Sequence, residues 1–138
     1  MVVRVRHDEA EWFRIFRSPT GVVARYVEDL TRQGANRARQ LAPVDTGSLR
    51  ASVSTSVFRR GGKLVGSVHS LLDYAIFVHE GTGIYGPRHR IIKPRRAQVL
   101  VFRPRGGPTV FARSVKGQQG QPFLVRAIHE VLPTATFT

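Results

Sequence analysis

The run Gly81-Thr82-Gly83-Ile84-Tyr85-Gly86 follows an apolar stretch and has the glycine spacing of a phosphate cradle, where a side-chain-free backbone approaches a pyrophosphate. That chemistry needs a helix to begin directly after the glycines and an acid about 20 positions further on to hold a ribose. Pro87 and Pro94 interrupt any such helix, and no Asp or Glu stands at that distance, so the run reads as a loop. The histidines are His7, His69, His79, His89 and His129, and none has the four-residue helical spacing to a second histidine, with a glutamate between, that a zinc site uses. His79 and Glu80 are adjacent, but neighbours on a helix or strand point apart, so such a pair is more often an exposed edge than an acid/base couple. Asp45, Asp73 and Glu80 are single acids in different segments. The residues therefore assign no catalytic, cofactor-binding or metal-binding role, and an enzyme is not expected.

The densest chemistry is cationic. Arg88, His89, Arg90, Lys93, Arg95 and Arg96 crowd a stretch interrupted by Ile91, Ile92 and Pro94, within a long irregular basic loop over residues 80–96. Guanidinium forks match phosphate oxygens, while the scarcity of aromatic residues speaks against reading of bases. A solvated loop, a non-specific contact with DNA and a contact with an acidic protein face all fit. The whole chain leans the same way, with 22 Lys or Arg against 9 Asp or Glu and a net charge of +13. Ile84, Tyr85, Ile91 and Ile92 would supply apolar anchors to such a contact. A loop this long and glycine-rich is expected to become ordered only against a neighbour.

The elements around these residues follow from periodicity. At 138 residues the chain has the size of one domain, taken as 1–138. It has no cysteine, so neither disulfides nor thiolate ligands contribute. The start, MVVRVRHDEAEW, lacks the apolar core of a signal peptide, and no run approaches the roughly 20 apolar residues of a membrane span. A chain made in the cytoplasm without a membrane partner is expected. Asp8 and Glu11 form a capping-box-like start, with Trp12, Phe13 and Phe16 on one helical face through Arg17. Ser18-Pro19-Thr20 opens a long helix in which Val23, Val27, Leu30, Gly34, Ala38 and Leu41 recur at helical spacing, until Pro43 stops it near Leu41.

From Ala51 to Arg59 the period becomes two, and Leu64 to His69 answers it across Arg60-Gly61-Gly62-Lys63, which predicts a hairpin. Ala97 to Arg103 and Thr109 to Val115 predict a second around Pro104-Arg105-Gly106-Gly107-Pro108. Asp73 to His79 reads as a short helix or strand, and Gln121-Pro122 opens a last helix with Leu124, Ala127, Ile128 and Val131 on one face, ended by Pro133. The expected fold is α+β: an antiparallel sheet of about four strands, made of two hairpins, with the long N-terminal helix and the C-terminal helix packed on it.

Between the long helix and the first hairpin lies Leu41-Ala42-Pro43-Val44-Asp45-Thr46-Gly47-Ser48-Leu49-Arg50-Ala51-Ser52. By its chemistry this is a corner brace: Asp45 and Thr46 can turn side-chain oxygens onto the main chain, and Gly47 can take a positive φ. The segment resembles the A-P-V-D-T-G-x-L-R-x-S signature of a family of bacteriophage head-to-tail joining, or tail-completion, proteins, also described as minor tail components. Tyr74-Ala75 with Val78, Glu80, Gly81 and Thr82, then Ile92-Lys93-Pro94, Leu100-Val101-Phe102, and Gly117 through Gln121-Pro122-Phe123-Leu124 with Ala127 resemble its later landmarks, in order, over about residues 20–130. The resemblance implies a structural virion protein at the neck, assembled as a homo-oligomeric ring, expected as a hexamer. Its implied neighbours are the head connector or stopper and the tail terminator or tail tube, with DNA passing through the ring. Pro43, Asp45, Thr46, Gly47, Leu49 and Arg50 are then structural, and Ile84, Tyr85, Arg88, Arg90, Ile91, Ile92, Lys93, Arg95 and Arg96 form an interface or DNA-facing loop. The competing reading is a free-standing basic nucleic-acid-binding protein, and a more distant third is a small hydrolase built on His79 and Glu80.

Overall fold

The structure is a computed structural model that describes residues 9–133. The expected cap at Asp8 and the side chain of Trp12 lie outside what is described. The chain forms two compact units, one of the residues up to Leu71 together with those from Leu124 on, the other of Leu72–Phe123.

In the first unit, α1 (Glu9–Trp12) continues into a wider π-helical turn, Phe13–Arg17. The next helix does not begin at Ser18. Thr20 N–H donates to Ser18 Oγ at 3.3 Å and Gly21 N–H to the Ser18 carbonyl at 3.2 Å, so the hydroxyl holds a turn and α2 runs Val22–Leu41. The buried stripe of α2 is made of small residues, Ala24, Thr31, Gly34, Ala35 and Ala38, with Val23, Val27, Leu30 and Leu41 half-buried beside it.

Their smallness follows from how closely α2 lies on the hairpin of β1 (Val53–Arg60) and β2 (Lys63–Ser70). At Gly66 of β2 a Cβ would stand 3.2 Å from Val27 Cγ1 and would overlap the Thr31 hydroxyl. That hydroxyl is satisfied within its own helix, donating to the Val27 carbonyl at 2.6 Å. The strands pair antiparallel from Val53↔Ser70 to Arg60↔Lys63. The connecting Gly61 and Gly62 have φ of +56° and +77°, the two positive values of a turn whose twist matches the strands. α5 (Phe123–Val131) completes the unit: Ala127 is buried, Ile128 Cδ1 lies where a Cβ on Gly34 would come within 2.7 Å, and Glu130 is ion-paired with Arg37.

In the second unit, Asp73 to His79 resolves as a helix, α4 (Ala75–Glu80). The second hairpin forms but is short, β3 (Leu100–Phe102) against β4 (Val110–Ala112), in register Leu100↔Ala112 to Phe102↔Val110. The α+β class and the long N-terminal and C-terminal helices stand, whereas the single four-stranded sheet does not: there are two separate two-stranded sheets. Pro104 and Pro108 bound the hairpin tip and lack the N–H that a longer ladder requires. Residues beyond β4 pair with the segment after α4 instead of extending the hairpin.

Candidate functional site

The corner motif sits at the exit of α2. Ala42 N–H closes the last turn onto the Ala38 carbonyl and Pro43 follows, unable to continue the helix. Gly47 has φ +85°, with nothing within 4 Å of where a Cβ would be, so its demand is conformational and not steric. It does not lead straight into the strand. It precedes a single helical turn, α3 (Ser48–Ala51), before β1 starts. Thr46 Oγ1 lies 2.7 Å from Ser48 Oγ and accepts from Ser48 N–H at 3.4 Å. Leu49 is buried, and Arg50 reaches back so that its Nε donates to the Arg39 carbonyl at 2.9 Å. Arg39, outside the motif, donates from Nη2 to the Val53 carbonyl at 2.7 Å. One residue's backbone and side chain thereby fasten the helix exit to both the motif and the first strand.

The glycine run of residues 81–86 has its own structural task. Gly81 bridges Gln119 antiparallel, Thr82 N–H donates to the Gln118 carbonyl at 2.9 Å, and Ile84 N–H to the Lys116 carbonyl at 2.8 Å. Thr82 Oγ1 in turn accepts from Gln118 N–H at 3.0 Å, and Gln121 N–H donates to the Val78 carbonyl at 2.8 Å. The two segments cross so closely that a Cβ on Gly81 would stand 2.6 Å from Gly120 N, and one on Gly120 would stand 2.7 Å from the His79 carbonyl oxygen. Gly83 and Gly117 oppose each other's neighbours in the same way, at φ of +66° and +97°. Glycines that would admit a pyrophosphate here admit another stretch of the same chain. His79, beside this clasp, sets its ring edge-on to Phe123 with centroids 6.0 Å apart, and its Nε2 is buried without a hydrogen-bond partner among the described residues.

The basic loop hangs from the clasp. Arg90 N–H donates to the Gly83 carbonyl at 3.2 Å, and Ile92 and Val115 exchange both backbone hydrogen bonds at 2.9 Å. His89, at φ +44°, places Nδ1 3.0 Å from the Ile84 carbonyl, a geometry that makes Nδ1–H the donor. Intrachain backbone bonds hold the loop at Ile84, Arg90 and Ile92. Ile84 is half-buried, whereas Tyr85, Arg88, Arg90, Ile91, Ile92, Lys93, Arg95 and Arg96 are exposed. Their charge has no internal compensation nearby in sequence, since between Glu80 and Glu130 the chain carries ten Lys or Arg and no acid. Arg88, Arg90, Lys93, Arg95 and Arg96 form no ion pair among the described residues.

The corner motif belongs to the first unit and the loop to the second, so the structure gathers the sequence-predicted residues into two places. Sequence reasoning gave Arg39 no role and named Gly117 to Gln121 only as a family landmark, without pairing Gly117 and Gly120 to the run of residues 81–86. The signal for the latter was available as two glycine pairs, Gly81/Gly83 and Gly117/Gly120, on either side of the basic segment.

Residues 19–81 match the model of the family described as "Bacteriophage HK97-gp10, putative tail-component". The matched residues span α2, the corner motif, the first hairpin and α4, and the similarity agrees with the resemblance borne by the motif. The basic loop and the second hairpin lie beyond the matched residues. No curated protein and no solved structure matches the chain. Among the described residues, no helix is long and apolar enough to cross a membrane.

Proposed function

We propose that the chain is a structural virion subunit of a tailed bacteriophage, a ring-forming neck or tail-completion protein that joins the head connector to the tail around the DNA channel. The observation that carries this reading is the match of residues 19–81 to a phage tail-component family, with the corner motif inside it. Its work is binding, without catalysis. The corner residues keep the first hairpin rigidly set on α2, and Ile84, Tyr85, Arg88, Arg90, Ile91, Ile92, Lys93, Arg95 and Arg96 form the joining surface. The subunit repeats around a hexameric ring, and the surface meets the head connector or stopper on one side of the joint, or the tail terminator or tube on the other.

A second reading, a free-standing nucleic-acid-binding protein, draws on one observation, the acid-free cationic stretch between Glu80 and Glu130. In vitro joining separates the two. Lysates lacking the chain should accumulate unjoined heads and tails, and adding the purified chain should restore whole particles. A variant with Arg88, Arg90, Arg95 and Arg96 all changed to Gln should fold but fail to restore them. Normal particles without the chain, together with tight duplex binding whose affinity falls steeply with salt, would favour the second reading.

A further inference from the structure

We infer that the β3–β4 hairpin is a docking arm for a different protein, one presenting an apolar groove rimmed by carboxylates. The inference rests on the reading of the chain as a joining subunit and adds to it a surface that no matched family segment covers.

The hairpin's two faces differ. Leu100, Val110 and Ala112 are half-buried on one face, where Phe102 is 38% exposed, whereas Val101 and Phe111, directly opposite each other across the ladder, share the other and are 59% and 68% exposed. A two-stranded ribbon this short is marginal by itself, and a cross-strand aliphatic–aromatic pair stabilises it fully only when covered. Strand alternation continues that outer face into Arg103 beyond β3 and Arg113 beyond β4, both exposed. An aromatic centre with an arginine rim is the composition of a protein-binding patch. Duplex DNA would use the arginines, and the phenylalanine only as a wedge between base steps, an outcome that the crosslink below distinguishes.

Charge selects the partner. A second copy is a poor occupant, because the chain carries +13 and, of its 9 acids, Glu11, Asp29 and Glu130 already pair with its own arginines. What complements an acid-free ribbon is an acidic face on an unlike protein. The tip stands clear: a Cβ on Gly106 would meet nothing within 4 Å, and one on Gly107 would meet only Pro104, no closer than 3.6 Å.

The chain has no cysteine, so Gly107→Cys in the full-length protein gives a single attachment point for a benzophenone photocrosslinker. Particles joined with the labelled chain are irradiated, treated with nuclease and analysed by mass spectrometry. The expected product is an adduct to another virion protein at a segment rich in Asp and Glu. In parallel, Val101→Ser/Phe111→Ser should melt within a few degrees of the parent and bind chain-deficient tails or heads about tenfold or more weakly, the scale of losing an aromatic anchor. Arg103→Gln/Arg113→Gln should weaken binding most at low salt. An adduct to DNA, an adduct to a second copy, or no adduct from incorporated chain would each overturn the docking arm while leaving the joining role intact. Absence of the chain from the particles would overturn both.

Discussion

Arg50 and Arg39 are locked in sequence: Arg50 Nε holds the Arg39 carbonyl at 2.9 Å while the Arg39 guanidinium holds the Val53 carbonyl at 2.7 Å. The carbonyls in the last turn of a helix lack intrahelical partners, and Arg50 supplies one to α2. The relay passes helix, corner and strand through two side chains, and at Arg39 the guanidinium also donates from Nη1 to Asn36 Oδ1 at 2.9 Å, a two-point contact that lysine's point charge does not reproduce. Arg50→Ala and Arg39→Ala should each destabilise the chain by roughly 1 kcal/mol, measured by urea unfolding. Because Arg39→Ala keeps the carbonyl that Arg50 holds, the two losses should add within about 0.5 kcal/mol in the double variant. A double variant that costs clearly less than the sum would mean that the two arginines act as one unit.

Gly47 separates conformational demand from crowding. With φ +85° and open space around it, Gly47→Val should cost roughly 1 kcal/mol or more, while Gly47→Asn, which tolerates the left-handed region, should cost clearly less. Equal melting temperatures for parent and Val variant would contradict the brace.

The glycine clasp gives a steeper contrast. Gly83→Ala or Gly117→Ala must accept both a positive φ and overlap with opposing backbone, and each should cost more than about 2 kcal/mol. Gly106→Ala, also at positive φ but in open space, should cost only about 1 kcal/mol. Limited proteolysis followed by mass spectrometry should show cleavage within residues 72–123 for the clasp variants first. Similar behaviour of all three would remove the clasp as the fastening of this unit.

Which features the sequence disclosed follows from the range of the forces that set them. The first hairpin was legible because its register is set locally, by alternation and by Gly61-Gly62, and the positive φ at Gly47 because Pro43 and the following turn residues demand a sharp corner. The one-sheet arrangement was not legible. Period-two runs announce strands but not their partners, and the residues flanking β4 pair with Gly81–Ile84 and Ile92 through backbone groups that carry no side-chain signal. The glycine run misled for the same reason: its spacing reports that a backbone comes close, without saying whether that backbone belongs to a nucleotide-binding site or to residues 116–120. Val27 and Leu30 were expected to face the core centre, but Thr31 and Ala35 do, because Gly66 draws α2 in until only small residues fit.

Hydrogen exchange on the isolated chain should find the amides of Ile84, Ile92 and Val115 protected, since each donates to a backbone carbonyl in the clasp or at the loop's return, while residues 95–99 exchange quickly. Uniformly fast exchange over residues 80–96 would instead restore the picture of a loop that gains its shape only on assembly.

The central claim is that this chain is a built-in part of the virion joint. Mass spectrometry of gradient-purified particles, combined with gold-labelled antibody and electron microscopy, tests it most directly. The account predicts the chain in stoichiometric, ring-like copy number with all label at the junction of head and tail. Its presence in infected cells but absence from purified particles would contradict the account.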